Sequence, residues 1–210
     1  EYLGIRMDPS SAHKESNPLQ DKLIRQALNY GFDRRKMITY LRNNIGTAGA
    51  SGFVPPGLPS FDSTVVKGYN YDPVKARELL KQAGFPDGRG LAEITMSTTT
   101  TYLDLCEYIK SQWEDLGFKI KIDVNQAAVH RKMVAEQKLT FFRGSWIADY
   151  PDAENYLAIF YSGNFAPQGP NTTHFSNPVY DKLYEKASVE VNDSIRYQQY
   201  RQMDQLLMEE

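Results

Sequence analysis

The alternation of strand and helix patterns across residues 92–144 is the sequence feature that most restricts the fold of this chain. Two strand patterns place apolar residues at every second position, and a third short strand pattern covers residues 139–144. Helical patterns occupy residues 101–116 and 127–137 between them. Strands separated by helices are typical of βαβ units, so we expect an α/β fold with a partly parallel sheet. The apolar positions are Ala92, Ile94 and Met96 in the first strand, Leu105, Ile109, Trp113 and Leu116 in the first helix, and Phe118, Ile120, Ile122 and Val124 in the second strand.

Further helices are predicted on both sides of this region. Asp33 and Asp72 are N-cap candidates, and Pro73 is suited to a first helical position. Residues 46–71 hold five glycines and three prolines with aromatic residues among them, so we expect an ordered surface loop there. The predicted helices cover residues 19–31, residues 33–43 with Met37, Ile38 and Leu41 buried, Asp72 to Gly84, Ser176 onward with Tyr180, Leu183, Tyr184 and Ala187 buried, and Asp193 to the end.

Charge and cysteine content argue against several classes of protein. The 210 residues carry 24 basic and 26 acidic side chains, a net charge of −2, whereas domains that bind nucleic acid usually carry a basic excess. The apolar runs are too short to span a bilayer. Cys106 is the single cysteine, and we expect it to be a buried, unreactive thiol. We therefore expect a globular chain with no nucleic-acid partner.

Catalytic and cofactor motifs are missing from the sequence. His13, His130 and His174 are scattered and have no Cys or Glu partner at metal-ligand spacing. The sequence contains no HExxH, CxxC or EF-hand pattern, and no GxSxG, Walker or GxGxxG motif after a strand. We expect neither a metal nor a cofactor, and no enzymatic activity.

The segment from Gly144 to Asp152 holds the most informative polar residue of the chain. Asp149 comes shortly after the predicted strand, between Trp146 and Tyr150. In open α/β sheets, ligands bind at the carboxyl ends of the strands. A carboxylate there suits a cation such as an ammonium group, and aromatic rings cover its apolar neighbours. We expect Asp149 to contact a ligand, with an Asx-turn that braces the loop as the alternative. Trp146 fits a core position and a ligand-contacting wall equally well.

The other carboxylates of this segment have structural explanations. Asp152 precedes a helical run and is suited to N-capping, and Glu154 in the first turn interacts favourably with the helix dipole. A hydrolase that pairs Asp149 with Asp152 or Glu154 would need a positioned acid and base, and their spacing is too generic to indicate one.

Two more residues are candidates for the same edge of the sheet. Arg143 lies within an otherwise apolar strand, where an inward guanidinium needs a carboxylate partner, either on the ligand or on Asp149. The alternative is a side chain that extends to solvent. Tyr102 opens the helix after another strand and is therefore a candidate contact at the rim of the site.

Together with patterns elsewhere, these residues resemble the C-terminal lobe of the extracellular solute-binding proteins of ABC transporters, in the oligopeptide and dipeptide class. Each pattern is weak alone, but five in the same order along the chain are specific. They are Ile24–Tyr30 with Asp33–Arg34, Pro55–Gly57, Tyr71–Pro73 through Ala83–Gly88, Trp146–Asp152, and Ser176–Pro178 with Tyr180–Asp181.

The resemblance implies a type II periplasmic-binding-protein-like lobe with a mixed central sheet flanked by helices. In such proteins two lobes close on a peptide, and an aspartate in a W-x-x-D-Y motif pairs with the peptide α-ammonium group. That role carries over to Asp149, and the backbone around Trp146 and Ile147 would hydrogen-bond the peptide as a neighbouring strand does. Arg143 matches an arginine that some relatives direct at the ligand carboxylate. Tyr102 stands where some relatives have a different polar residue.

The resemblance also implies the context of the chain. We expect residues 1–210 to form one ligand-binding lobe of a larger two-lobed protein, because Tyr2–Ile5 begins as a strand already under way and the last helix has no terminating residue. The expected function is the substrate-binding component of an importer, a monomer that is exported to the periplasm or cell envelope, with or without a lipid anchor. Its partners would be a short peptide and a membrane ABC permease. The alternatives are the same fold with a sugar or metal chelate as ligand, and a ligand-sensing domain of a transcription regulator.

Overall fold

A four-stranded mixed sheet organises the structure, a computed structural model that describes residues 1–7 and 17–210 and so leaves His13 outside the described residues. The strands are β1 (Tyr2–Ile5), β2 (Ile94–Thr99), β3 (Ile120–Asn125) and β4 (Phe141–Gly144). Their order across the sheet is β1-β4-β2-β3. Strand β2 is parallel to both β3 and β4, whereas β1 is antiparallel to β4. The predicted α/β fold with a mixed sheet is confirmed.

The predicted N-caps Asp33 and Asp72 are confirmed, because their side chains make the expected hydrogen bonds, whereas the helix predicted from residue 19 begins at Lys22 after a 3₁₀ turn. Asp33 accepts from the backbone N–H groups of Arg35 and Lys36, each at 3.0 Å, and Asp72 accepts from that of Lys75 at 2.9 Å. The helices of the described residues are α1 (Lys22–Tyr30), α2 (Arg34–Leu41), α3 (Pro73–Gln82), α4 (Leu103–Glu114), α5 (Ala127–Ala135), α6 (Glu154–Leu157), α7 (Pro178–Val189) and α8 (Asp193–Glu209).

One hydrophobic cluster, which we call the sheet core, packs the sheet against α1, α3 and α4. Trp113 of α4 is central: its ring contacts Phe32 and Phe141 with centroids 5.9 and 6.0 Å apart. Its indole N–H donates to the carbonyl oxygen of Leu28 at 2.9 Å. The buried residues of the sheet core are Leu19, Ile24, Ala27, Leu28, Phe32, Ala76, Leu79, Leu80, Leu91, Ile94, Met96, Cys106, Ile109, Trp113, Leu116, Phe118, Ile120 and Phe141.

The structure corrects three details of the predicted burial. Ala92 is exposed and precedes β2, and successive residues in the second half of β2 are all buried, so both of its faces are covered there. Val124 is 43% exposed because β3 is an edge strand. None of the residues of α2 is fully buried, and Met37, Ile38 and Leu41 are only half-buried.

A second hydrophobic cluster, the helical core, lies among α6, α7, α8 and the loop before α3. It contains buried polar atoms as well as apolar groups. The Tyr180 hydroxyl donates to the carbonyl oxygen of Leu157 at 2.7 Å, and the buried carboxylate of Asp204 accepts from the backbone N–H of Phe53 at 2.6 Å. Leu183 and Tyr184, predicted to be buried, are only half-buried at its margin. The buried members are Val54, Ala153, Leu157, Phe175, Tyr180, Ala187, Tyr200 and Met203.

Candidate functional site

The predicted site residues lie at the edge of the sheet where β2, β3 and β4 end. These strands are parallel, so their carboxyl ends meet at one edge, and the antiparallel β1 begins there, with Tyr2 opposite Gly144. Tyr102 follows the end of β2 by one 3₁₀ turn, and Arg143 is the penultimate residue of β4. Residues 145–153 leave this edge and lead to α6. The topology therefore supplies the strand-end location that the sequence predicts.

Arg143 and Tyr102 are brought into direct contact. The guanidinium carbon of Arg143 lies 3.2 Å from the centroid of the Tyr102 ring, and that of Arg42 lies 5.7 Å from the same ring. Arg143 also forms an ion pair with Glu1. Its side chain is 13% exposed, and this burial lowers the pKa of its guanidinium to about 10. The carboxylate partner of Arg143 in this structure is thus Glu1 and not Asp149, and the alternative of a solvent-extended side chain is wrong.

Trp146 is half-buried and held by a hydrogen bond. Its indole N–H donates to Oδ1 of Asn155 at 2.8 Å, and Asn155 is itself 6% exposed. One side of the ring system is therefore fixed by the protein. Ile147, the next residue, is 84% exposed, so its side chain and the adjacent backbone are open to a partner.

Asp149 is exposed and makes no hydrogen bond or ion pair with any residue in the described part of the chain. The Asx-turn that would brace the loop is thus not formed by this side chain. Its neighbour Tyr150 donates a hydrogen bond to Glu154 instead. Asp152 accepts from the backbone N–H of Glu154 at 2.8 Å and lies 3.6 Å from Arg196. The N-cap of α6 is Ala153, so the prediction that Asp152 is the N-cap is wrong by one position.

The structure thus groups the predicted residues into two parts of one edge. Tyr102 and Arg143 form one contact pair, and Trp146, Ile147 and Asp149 lie along the loop that follows β4. Sequence reasoning missed the residues that hold these side chains, namely Asn155, Arg42 and Glu1. Glu154, which accepts the hydroxyl of Tyr150, was considered only for its effect on the helix dipole, and no helical spacing indicates their bond because Tyr150 lies in a bend before α6.

Over residues 1–7 and 17–210, no three His, Cys, Asp or Glu side chains come together as a metal site. Within the same ranges, no helix is long and apolar enough to cross a bilayer. A cavity of about 510 Å³ does exist, but it lies on α7 and α8 and includes none of the predicted site residues; Val65, Val179, Leu183 and Leu206 are among its lining residues.

Comparison with known proteins places these features in a family. Residues 1–168 match the family described as bacterial extracellular solute-binding proteins, family 5 Middle. Heme-binding protein A of Haemophilus influenzae is 28% identical over 207 residues, covering 96% of this chain and 37% of that protein. Di/tripeptide-binding protein 1 of Pseudomonas aeruginosa is 30% identical over 195 residues, covering 90% and 36% respectively.

The fold matches solved structures of the same kind. The periplasmic binding protein DppA of Helicobacter pylori, solved in complex with the peptide STSA, superposes with a TM-score of 0.85 at 22% identity. That match covers 99% of this chain and 39% of the other. The chain therefore spans less than two fifths of the length of the relatives cited above. Because the family match extends over residues 1–168, the chain belongs to the bacterial extracellular solute-binding proteins of family 5.

Proposed function

We propose that this chain is one lobe of a two-lobed solute-binding protein that captures short peptides for an ABC importer, with Asp149 pairing with the peptide α-ammonium group. The observation that carries the proposal is the state of Asp149. It is an exposed carboxylate without a partner among the described residues, at the carboxyl edge of the sheet. The names of similar proteins, which refer to di/tripeptide binding and glutathione binding, support a peptide as the ligand.

The remaining predicted residues have complementary roles in this proposal. Trp146 and Ile147 would offer backbone groups to an extended peptide, since the side chain of Ile147 is exposed and Trp146 is fixed by Asn155. Arg143 and Tyr102 would form a cationic and aromatic wall at the same edge. Closure of a second lobe would remove water from the peptide ammonium group, so an unpaired charge there would be costly and Asp149 would offset that cost.

Titration calorimetry of the full two-lobed protein tests this role. Asp149→Asn keeps the shape of the side chain and removes its charge, and we expect peptide binding to weaken by roughly 2–5 kcal/mol. The matched control is Asp87→Asn, because Asp87 packs beside Gly117 at the amino end of β3, across the sheet from the site. Equal affinity of wild type and Asp149→Asn for a peptide with a free amino terminus would refute the ammonium assignment.

A different solute is the main alternative within the same fold. The names of similar proteins also include a heme-binding protein, and one solved neighbour contains agropinic acid. Mass spectrometry of the ligand that co-purifies with the full protein separates a peptide from a sugar, a metal chelate or heme. A ligand without an amino group would leave Asp149 without its proposed partner.

The cellular context completes the proposal. We infer export to the periplasm or cell envelope, action as a monomer, and delivery of the ligand to a membrane permease without chemical turnover. The family is extracellular by description, which supports export. The first thirty residues of the complete reading frame provide the test, because a signal or lipid-anchor segment agrees with it and a helix-turn-helix would indicate a ligand-sensing regulator.

A further inference from the structure

We propose that Glu154 and Asn155, the first two residues of α6, are positioning residues that hold Trp146 and Tyr150 and thereby fix Asp149 between them. This inference rests on the proposed function, because it explains how the loop that carries Asp149, the proposed ammonium-binding residue, is held in one conformation. Glu154 and Asn155 contact the loop through Tyr150 and Trp146, and they are not proposed to contact the ligand.

Two adjacent residues at the start of α6 hold the loop by hydrogen bonds. Asn155 accepts through Oδ1 the indole N–H of Trp146 at 2.8 Å. Glu154 accepts the hydroxyl of Tyr150 through Oε2 and the hydroxyl of Tyr184 through Oε1. Both ends of the segment 146–150 are therefore tied to the same turn of α6, one on each side of Asp149.

This turn is itself anchored to the helical core. Ala153 and Leu157 are buried. Asp152 accepts from the backbone N–H of Glu154 and lies 3.6 Å from Arg196 of α8. Tyr184 belongs to α7, and its ring stacks on that of Tyr161 with centroids 4.5 Å apart. Loss of the Glu154 carboxylate would thus release Tyr150 from a fixed support and leave the rest of the core in place.

The hydrogen bonds also decide which carboxylate of the segment is available. Glu154 has a phenolic donor on each oxygen, and Asp152 has a backbone N–H and a nearby guanidinium. The bond to Glu154 raises the pKa of Tyr150, and burial together with Glu154 raises that of Tyr184, so both phenols remain donors at neutral pH. Of Asp149, Asp152 and Glu154, only Asp149 has no partner among the described residues. A cationic ligand would therefore find one unpaired carboxylate in this segment.

Glu154→Gln tests the inference in the full protein. Glutamine removes the negative charge and keeps one acceptor oxygen, so only one tyrosine can still donate to residue 154 and neither bond remains charge-assisted. We expect the amide N–H of Asp152, which donates to the carbonyl oxygen of Tyr150 at 2.9 Å, to exchange about tenfold faster in the ligand-free protein, the factor that corresponds to one charge-assisted hydrogen bond. The control is Asp62→Asn, because Asp62 also accepts a hydroxyl, that of Thr64 at 2.6 Å, but lies in the loop before α3.

A double-mutant cycle with Asp149→Ala separates positioning from a general structural effect. If Glu154 acts through Asp149, Glu154→Gln weakens binding of a peptide with a free amino terminus by about tenfold in the wild-type background and by less than twofold when Asp149 is already alanine. Unchanged affinity of Glu154→Gln in the wild-type background would overturn the inference, even when Asp149→Ala abolishes binding. Where Asp149→Ala still binds the peptide measurably, the same loss in both backgrounds would also overturn it. If the wild type binds no peptide, the proposed function fails, and unchanged exchange in Glu154→Gln would then refute the positioning role separately.

Discussion

The sheet core and the helical core of this chain differ in the kinds of side chain that they bury. The sheet core is built almost wholly from apolar side chains around Trp113. The helical core instead buries tyrosines and a carboxylate, and two of these groups, Tyr180 and Asp204, form hydrogen bonds with the backbone. A buried polar group without such a partner would be costly, so the helical core depends on specific partners where the sheet core depends on packing.

The candidate site lies where these two regions meet. Strand β4 delivers Arg143 from the sheet, and the loop that follows is tied to α6, which belongs to the helical core. The apolar sheet supplies a rigid edge, and the polar contacts of α6 determine where the loop residues lie. We therefore expect the stability of the two cores to respond differently to truncation of a large side chain, to a change of pH and to removal of a hydroxyl group.

The largest effect is expected for Trp113→Ala in the sheet core. Trp113 is almost completely buried and joins α4 to Phe32, Phe141 and the backbone of Leu28. Its truncation should lower the free energy of unfolding by about 3–5 kcal/mol, the usual cost of a large aromatic removed from a core. Chemical denaturation of the two proteins measures the difference.

The control for this prediction is Trp113→Phe, which keeps an aromatic ring and removes the donor to Leu28. If packing dominates the sheet core, this variant should lose much less than the alanine variant. Equal losses would mean that the single indole hydrogen bond dominates, and the contrast between the two cores would disappear.

The second prediction concerns the pH dependence of the helical core. Burial raises the pKa of Asp204 from 3.8 to about 6, although hydrogen bonds from the backbone of Phe53 and Val54 act in the opposite direction. Between these values the folded protein holds a proton that the unfolded chain has released. Stability from this group is therefore fully present below about pH 3.8, falls as pH rises, and is lost above about pH 6, a total of about 3 kcal/mol.

Urea denaturation from pH 4 to 7 tests this sign with Asp204→Asn, whose side chain does not titrate. The difference in unfolding free energy between wild type and variant isolates Asp204, because other groups titrate in both proteins. We expect the wild type to lose stability relative to the variant as pH rises through this range. A constant difference would show that the buried carboxylate has an ordinary pKa, and the helical core would then resemble the sheet core in its indifference to pH.

The sheet core could be predicted from sequence because its signals are local. Alternation in β2 and β3, the four apolar positions of α4 and the capping aspartates all depend on neighbours within a few residues. The errors occurred where burial depends on strand order, as at Val124 on the edge strand. Sequence alternation identifies a strand but does not say whether the strand lies at the edge of the sheet or how well each of its faces is covered.

Helical spacing predicted the burial of Tyr180 and Ala187 in the helical core, but the polar contacts of that core and the supports of the site could not be predicted in this way. Asp204 lies in a polar-looking stretch of α8, and its partner Phe53 is 151 positions away, so no local pattern indicates the contact. Asn155 and Trp146 are nine positions apart across an irregular loop, where no periodicity applies. Asp149 was identified because it lacks an evident structural role, and the described structure gives it none. Positions explained by long-range hydrogen bonds are thus the ones that sequence periodicity misses.

The smallest effect is expected for Tyr180→Phe, which tests the role of hydrogen bonds in the helical core most directly. The change keeps the buried ring and its contact with Phe175, but it leaves the carbonyl oxygen of Leu157 without its donor. We expect a loss of about 1–3 kcal/mol in unfolding free energy, because a buried acceptor is left unsatisfied. The control Tyr40→Phe, at a side chain that is 70% exposed, should change stability by less than about 0.5 kcal/mol. If Tyr180→Phe were as neutral as this control, apolar contact alone would hold the helical core, and the distinction from the sheet core would rest on Asp204 alone.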